Sequence, residues 1–210
     1  MQSRVKICGI TSLYDALLAI DSGADALGFN MYKPSPRYIN IELAAEIIDQ
    51  LPPFVTTVGL FVNEEEHQVR ETCKRVSFDL LQFHGDESDD FCRKFDRPFI
   101  KVLRVKNIAD IVEQIGDYPS SKSILVDTLV KGKFGGSGIS LDWNDVPDVA
   151  KPIILAGGLT AENVSDAIRK VQPYAVDVSS GVEITAGIKD KNKIELFMNA
   201  VKATNVEVGN

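Results

Sequence analysis

The chain has 210 residues, 44% apolar and 25% charged, which suits one large domain or two small ones with a sizeable core. Its 30 acidic and 23 basic residues leave a net charge of -7, with no basic field to gather a nucleic acid or an anionic membrane surface. No apolar run reaches the roughly 18–20 residues of a membrane span, and the N-terminus has no charged-then-apolar leader pattern.

Short apolar runs alternate with amphipathic ones along the whole chain. Strands are predicted at 5–8, 26–30, 57–62, 80–84, 99–105, 124–127, 153–156 and 175–178. Most are apolar on both alternating positions, the mark of strands buried on both faces of a parallel sheet. A first helix is predicted at 13–21, with Leu13, Ala16, Leu17 and Ile20 on one face. A second, at 41–51, has Leu43, Ile47 and Leu51 at helical spacing. A third, at 64–76, follows Asn63 as a cap and carries acids in its first turn. Helices at 107–115, 161–171 and 190–201 fit the same pattern, the middle one capped by Thr160 with Glu162 as an early acid. Weaker helical segments lie at 87–95 and 141–146.

Eight strand–helix units share the 210 residues at about 26 each, lean for a (β/α)8 barrel. Closure into a parallel eight-stranded barrel is favoured over an open doubly wound sheet, because neither terminal strand looks like a polar edge. Without a linker, a low-complexity stretch or a composition break, residues 1–210 are expected to form a single domain.

Several side chains fall where the C-terminal rim of such a barrel would place chemistry. Cys8 ends the first strand, with Gly9 beside it and a turn after it. A free cysteine is often an inert buried hydrophobe; at this rim a thiolate could also be a base or a nucleophile. Asp127 closes Ser-Ile-Leu-Val-Asp-Thr, an apolar strand on which a carboxylate is costly unless it reaches a polar rim. A loop-capping Asp is the competing reading. Arg37 follows two prolines that stiffen its loop, and its guanidinium suits a carboxylate or a phosphate unless it is merely solvated. His84 ends the fourth strand and faces the same rim, where it could contact substrate, although a lone histidine is more often a satisfied polar residue. Asp177, inside the eighth strand, would orient a neighbour or pair with a Lys.

Two glycine-bearing turns give a stronger signal. Ala156-Gly157-Gly158-Leu159 follows the seventh strand, and Ser179-Ser180-Gly181-Val182-Glu183 follows the eighth. Glycine lets backbone amides approach an anion closely, and a short helix after the eighth strand would aim its N-terminus at the same point. Loops after strands seven and eight are the usual phosphate site of this barrel class. A further glycine-rich loop spans 131–138. The odd, widely spaced Cys8, Cys73 and Cys92 make neither a disulfide framework nor a metal-ligand spacing, so a reduced, cytoplasmic protein is expected. Cys73 and Cys92 fall on helices as core residues, and no partner motif argues against a monomer.

The chain resembles the phosphoribosylanthranilate isomerases over nearly its whole length. The resemblance rests on KICGIT (6–11), ADALGF with PSPRY (24–29, 34–38), GLFVN (59–63), LQFHGDE (81–87) and LVDT (125–128). It continues through FGGSG with LDW (134–138, 141–143), ILAGGLTAENV (154–164) and VDVSSGVE with GIKD (176–183, 187–190). Departures fall at Asn30-Met31, at Phe83 and at Ser137, positions that bear on substrate packing. The resemblance implies an Amadori rearrangement of N-(5-phosphoribosyl)anthranilate to the 1-deoxyribulose 5-phosphate derivative, a step of tryptophan biosynthesis. It implies Asp127 as general acid, Cys8 as general base and Arg37 on the anthranilate carboxylate. Gly157, Gly158, Ser180 and Gly181 would hold the phosphate, and neither metal nor cofactor is required.

Two rivals remain on sequence alone. Another cofactor-free barrel enzyme would be a sugar-phosphate epimerase, which tends to use metal-bound His and Asp, or an indole-glycerol-phosphate synthase, which wants Lys and Glu at strand ends. A phosphate-ligand binding module would need no reactive thiol.

Overall fold

The structure, a computed structural model, describes residues 2–105, 110–128, 149 and 151–208. The glycine-rich loop at 131–138, Ser137 within it, the helix predicted at 141–146 and the start of the one predicted at 107–115 lie outside the described residues.

Eight parallel strands close into a barrel in chain order. They are β1 (Arg4–Cys8), β2 (Ala26–Asn30), β3 (Thr56–Phe61), β4 (Leu80–Phe83), β5 (Phe99–Val105), β6 (Ser123–Thr128), β7 (Ile153–Leu155) and β8 (Ala175–Val178). Each pairs with the next, and β8 returns to β1 with Lys6 opposite Asp177. The helices are α1 (Leu13–Ser22), α2 (Ile41–Ile48), α3 (Glu66–Arg75), α4 (Asp89–Cys92), α5 (Asp110–Ile115), α6 (Val164–Val171) and α7 (Lys191–Val208). The eight strands are those expected from the apolar periodicity, with ends shifted by at most one residue; the helices fall where expected, but α2 ends three residues early, α6 starts three residues late and α7 runs seven residues further. An antiparallel hairpin, β9 (Glu183–Thr185) with β10 (Ile188–Lys189), was not expected. Among the described residues no helix is long and apolar enough to cross a membrane.

Local chemistry explains where the helices start. The Ser12 hydroxyl accepts the Asp15 N–H at 3.1 Å, and Asn40 Oδ1 accepts the Leu43 N–H at 2.8 Å, each satisfying an otherwise orphaned donor. Gly23 ends α1 at a φ of 101°, a left-handed position that favours glycine.

Two expected caps do not form. Asn63 is left-handed, and its Oδ1 accepts the Asp86 N–H at 2.6 Å, so α3 starts at Glu66 after an uncapped Glu65. Thr160 gives its N–H to Asn163 Oδ1 at 2.8 Å, and α6 starts only at Val164. At Asn63 the side chain ties two loops together, and at Thr160 the side chain of Asn163 braces a single turn.

The expected apolar faces of α1 and α2 are also rotated. Ala16, Ala19 and Ala44 are fully buried, while Leu17 and Leu43 are each 37% exposed. Small residues let a helix backbone come close to the barrel, so the alanines take the contact side and the leucines flank it.

Strand alternation divides the core. Ile7, Leu27, Phe29, Leu81 and Phe83 belong to the layer between strands and helices. Ile100, Val102, Leu125, Ile154 and Ala175 fill the barrel interior. Cys8, Leu60 and Val62 form a separate apolar group. Phe83 packs against Phe91, Phe95 and Phe99 with ring centroids 5.7–6.0 Å apart, so this departure from the family pattern faces the helices and not the rim.

Candidate active site

The rim is built upward from β1. Alternation puts Lys6 and Cys8 on the inward face, and Lys6 Nζ lies 2.8 Å from Asp177 Oδ1 on neighbouring β8. Both side chains of that pair are almost wholly buried, which settles the role left open for Asp177. Burial pushes the Cys8 thiol above its ordinary value; Lys6 pulls the other way in part, and Asp177 adds to the rise. Gly28 sits opposite Cys8 in the β1–β2 register, and a Cβ there would lie 2.7 Å from Sγ. Glycine at this position makes the room the thiol occupies.

Across the barrel, His84 follows β4 and Asp127 stands in β6. His84 Nε2 lies 3.4 Å from Asp127 Oδ2, without the alignment of a hydrogen bond. Gln82 Oε1, His84 Nε2 and Asp127 Oδ1 are the buried side-chain polar atoms lacking a partner among the described residues. All three side chains line one cleft. An unpaired buried polar atom costs about 1–3 kcal/mol, so three in one place mark a site arranged for a ligand.

The backbone behind His84 is clamped from outside the barrel. Glu87 accepts the N–H groups of Asn63 at 2.7 Å and Gly85 at 2.9 Å. Lys101 Nζ completes the clamp, donating to Glu87 at 2.8 Å and to the Gly85 carbonyl at 2.7 Å.

Arg37 is fixed at both ends. Asn30 Nδ2 donates to the Ser35 hydroxyl at 3.0 Å, and that oxygen accepts the Arg37 N–H at 3.1 Å. The guanidinium meets Glu183 in a two-pronged pair, Nε to Oε1 at 2.9 Å and Nη2 to Oε2 at 2.7 Å. Glu183 Oε1 also accepts from Lys189 Nζ at 2.8 Å, and Lys189 donates in turn to the Cys8 carbonyl. The β9–β10 hairpin therefore straps the end of β1 to Arg37. Burial opposes ionisation of Glu183, but the donors of Arg37 and Lys189 outweigh it and hold the carboxyl below its usual range.

The two glycine turns meet beside Cys8. Gly157 and Gly158 take left-handed φ values of 87° and 65°, and their N–H groups have no acceptor among the described turn and loop bonds. Successive turn amides of this kind form an anion-binding concavity. Asn163 Nδ2 pins the turn through the Gly158 carbonyl at 2.9 Å. After β8 a single 3-10 turn runs from Ser180 to Val182. A Cβ on Gly181 would collide with the Leu159 carbonyl, so glycine here lets the two loops touch.

Cys8, Arg37, His84, Asp127, Gly157, Gly158 and Ser180 share one cleft; Gly181 lies behind its lining. Asn30 lines the cleft as well. Among the described residues, no group of His, Cys, Asp or Glu is clustered as metal ligands would be. The arrangement offers a thiol and a carboxyl, a cation on one side and an amide-lined turn on another. That suits acid–base chemistry on a small dianionic or trianionic molecule.

Sequence reasoning missed Gln82, Glu183, Lys189 and Asn163. Glu183 stands just after the second glycine turn, but nothing local signals a partner 146 positions away. Gly187 between Glu183 and Lys189 was a usable sign of a hairpin.

Comparison with known proteins agrees with the geometry. A family model described as N-(5'phosphoribosyl)anthranilate (PRA) isomerase matches residues 5–200. A Pseudomonas paraeruginosa protein named N-(5'-phosphoribosyl)anthranilate isomerase is 53% identical over 201 residues, 95% of each chain. The crystal structure of phosphoribosyl anthranilate isomerase from Thermotoga maritima superposes with a TM-score of 0.87 at 42% identity, covering 96% of this chain and 100% of that one. A phosphoribosyl anthranilate isomerase in complex with reduced 1-(o-carboxyphenylamino)-1-deoxyribulose 5-phosphate superposes with a TM-score of 0.84 at 41% identity, again over 96% and 100%. A family match over almost the whole barrel, with a relative more than half identical, places this chain in the phosphoribosylanthranilate isomerase family.

Proposed function

We propose that Cys8 and Asp127 are the base and acid with which this enzyme converts N-(5-phosphoribosyl)anthranilate to 1-(2-carboxyphenylamino)-1-deoxyribulose 5-phosphate. The carrying observation is the cleft itself, where the unpartnered carboxyl oxygen of Asp127 shares one lining with the thiol of Cys8. Arg37 takes the anthranilate carboxylate. Gly157, Gly158 and Ser180 present the amides that hold the phosphate, with Gly181 setting the approach of the second loop.

Asp127, as the general acid, gives a proton to the furanose ring oxygen. The C1–O bond breaks and the nitrogen lone pair forms a C1=N iminium. Cys8, as the thiolate, then removes the proton from C2, and the C–H electrons form C1=C2 while the iminium π pair returns to nitrogen. The resulting enolamine becomes the ketone by losing its hydroxyl proton and gaining one at C1. The reaction is redox-neutral, and its demand is for an acid and a base with separated proton affinities.

Burial keeps the resting Cys8 thiol neutral. Cys8 acts as base only as the thiolate, its own proton released to solvent beforehand, and the positive charges of Lys6 and of the iminium favour that form against burial. His84, beside Asp127, contacts the substrate on the acid's side. One chain supplies every residue used, which fits a monomer, and the three free cysteines fit a reducing cytoplasm.

The test couples anthranilate with phosphoribosyl pyrophosphate enzymatically to make the labile substrate in place, then follows loss of its anthranilate-type fluorescence. Wild type should consume it rapidly, whereas Cys8→Ala and Asp127→Ala should leave it intact. No loss with wild type would return the binding-module reading to the front.

A further inference from the structure

Gln82 has no part in the acid–base scheme, yet its setting needs an explanation. It lies on β4 two residues before His84, so the two side chains share the inward face. Its register neighbours are apolar: Leu60 on β3 and Ile100 on β5. Gln82 is 1% exposed, and its Oε1 has no hydrogen-bond partner among the described residues. A leucine or methionine would fill this part of the barrel without that cost. The amide is nevertheless present, and it opens onto the cleft that holds His84 and Asp127.

We infer that Gln82 is a substrate-contacting residue that reads a sugar hydroxyl of the phosphoribosyl part. The inference rests on the isomerase reading above. The two charged ends of the substrate are already matched, the phosphate by the turns after β7 and β8 and the carboxylate by Arg37 after β2. Gln82 stands on β4, away from those strands in the closed order. It presents a neutral donor and a neutral acceptor. A hydroxyl also gives one and takes one, whereas an anion would leave the amide carbonyl repelled and unpaired. A substrate hydroxyl on this amide fills the vacancy at Oε1, so the cost carried by the free protein is relieved on binding. Through the same contact, an analogue lacking that hydroxyl would leave the carbonyl buried and unpaired, which makes Gln82 a specificity determinant.

The experiment uses the full chain with Gln82→Met and Gln82→Leu. It reads thermal midpoint without ligand, kcat/KM, and affinity for three probes: reduced 1-(o-carboxyphenylamino)-1-deoxyribulose 5-phosphate, inorganic phosphate and anthranilate. Both variants should unfold at the wild-type temperature or above it, since an unpaired polar group has been removed. They should lose at least about tenfold in kcat/KM and in affinity for the reduced product, the scale of one hydrogen bond lost with its partner left unpaired. Affinity for inorganic phosphate and anthranilate, which lack the sugar, should not move. Wild-type kcat/KM in either variant would overturn the inference, as would a lowered midpoint in both, because the amide would then serve the fold. Equal loss for phosphate and for the reduced product would also overturn it. Absence of turnover by wild type itself would instead overturn the isomerase reading, and this inference with it.

Discussion

Glu183 takes the Nε and Nη2 hydrogens of Arg37 together, with Nη2 2.7 Å from Oε2, and the described bonds leave Nη1 free. The pair fixes the plane of the guanidinium, so a substrate carboxylate meets a cation that is already oriented. It also places a negative charge beside a group meant to attract one. Lys189, 2.8 Å from the same carboxylate, restores the balance without itself lining the cleft.

Arg37→Ala should therefore raise KM by roughly 10–150-fold, the worth of about 1.5–3 kcal/mol for hydrogen bonds to a charged group, with a smaller effect on kcat. Glu183→Gln should raise KM in the same direction but less, because a neutral amide still accepts from one guanidinium nitrogen. Steady-state kinetics on both variants decides the matter, and an unchanged KM in Arg37→Ala removes Arg37 from the carboxylate.

The acid and the base should fail differently. Asp127→Asn keeps the shape of the side chain and removes the proton to be donated, for an expected loss of about 10²–10⁴ in kcat. Cys8→Ser should be less severe, since a hydroxyl keeps some proton-accepting geometry. Alkylation gives a second readout. With the thiol held neutral by burial, Cys8 should react with iodoacetamide more slowly at neutral pH than a free cysteine, and phosphate-bearing ligand should protect it further. Rates near wild type in both variants would sink the pair.

Gly181 offers a test of the phosphate site that avoids the acid and the base. Gly181→Ala would drive a methyl into the Leu159 carbonyl and push apart the loops after β7 and β8. The variant should lose about 1–3 kcal/mol of stability, the usual cost of overpacking. It should also bind inorganic phosphate more weakly, measured by competition against the substrate. A destabilised variant with unaltered phosphate affinity would detach this glycine from the ligand.

Periodicity sufficed for the barrel because each strand is buried on both faces, and buried strands leave an apolar signature that needs no partner to be recognised. Residues 26–30, 99–105 and 175–178 match β2, β5 and β8 at both ends. The positions of Cys8, His84 and Asp127 were readable for a related reason, since each stands at the end of such a run, and that of Arg37 from the two prolines that stiffen its loop. The network behind them was not. Glu183 and Arg37 are partners across 146 positions, and Lys6 and Asp177 across 171. Such pairs depend on barrel closure, a property of register and not of local pattern. Asn63 misled because its side chain is engaged by the loop after β4, and Thr160 because Asn163 Oδ1 takes its N–H within the same turn.

Cys92 carries a prediction about the fold alone. It lies in α4, fully buried, and burial pushes its thiol from an ordinary 9.0 up to about 12. Burial moves Cys8 in the same direction. Below pH 9 both the folded and the unfolded chain hold these protons, and the stability linked to them is fully present. Between 9 and about 12 the unfolded chain gives up the Cys92 proton while the folded one keeps it, so unfolding releases a proton and stability falls as pH rises. Urea unfolding followed from pH 8 to 11 should show this decline, up to about 1.4 kcal/mol per pH unit for one linked proton. Cys92→Ala should lower the whole curve through the cavity it leaves, yet flatten its alkaline slope by nearly one proton. An alkaline slope identical to wild type would mean that Cys92 ionises as readily in the folded barrel as in the open chain.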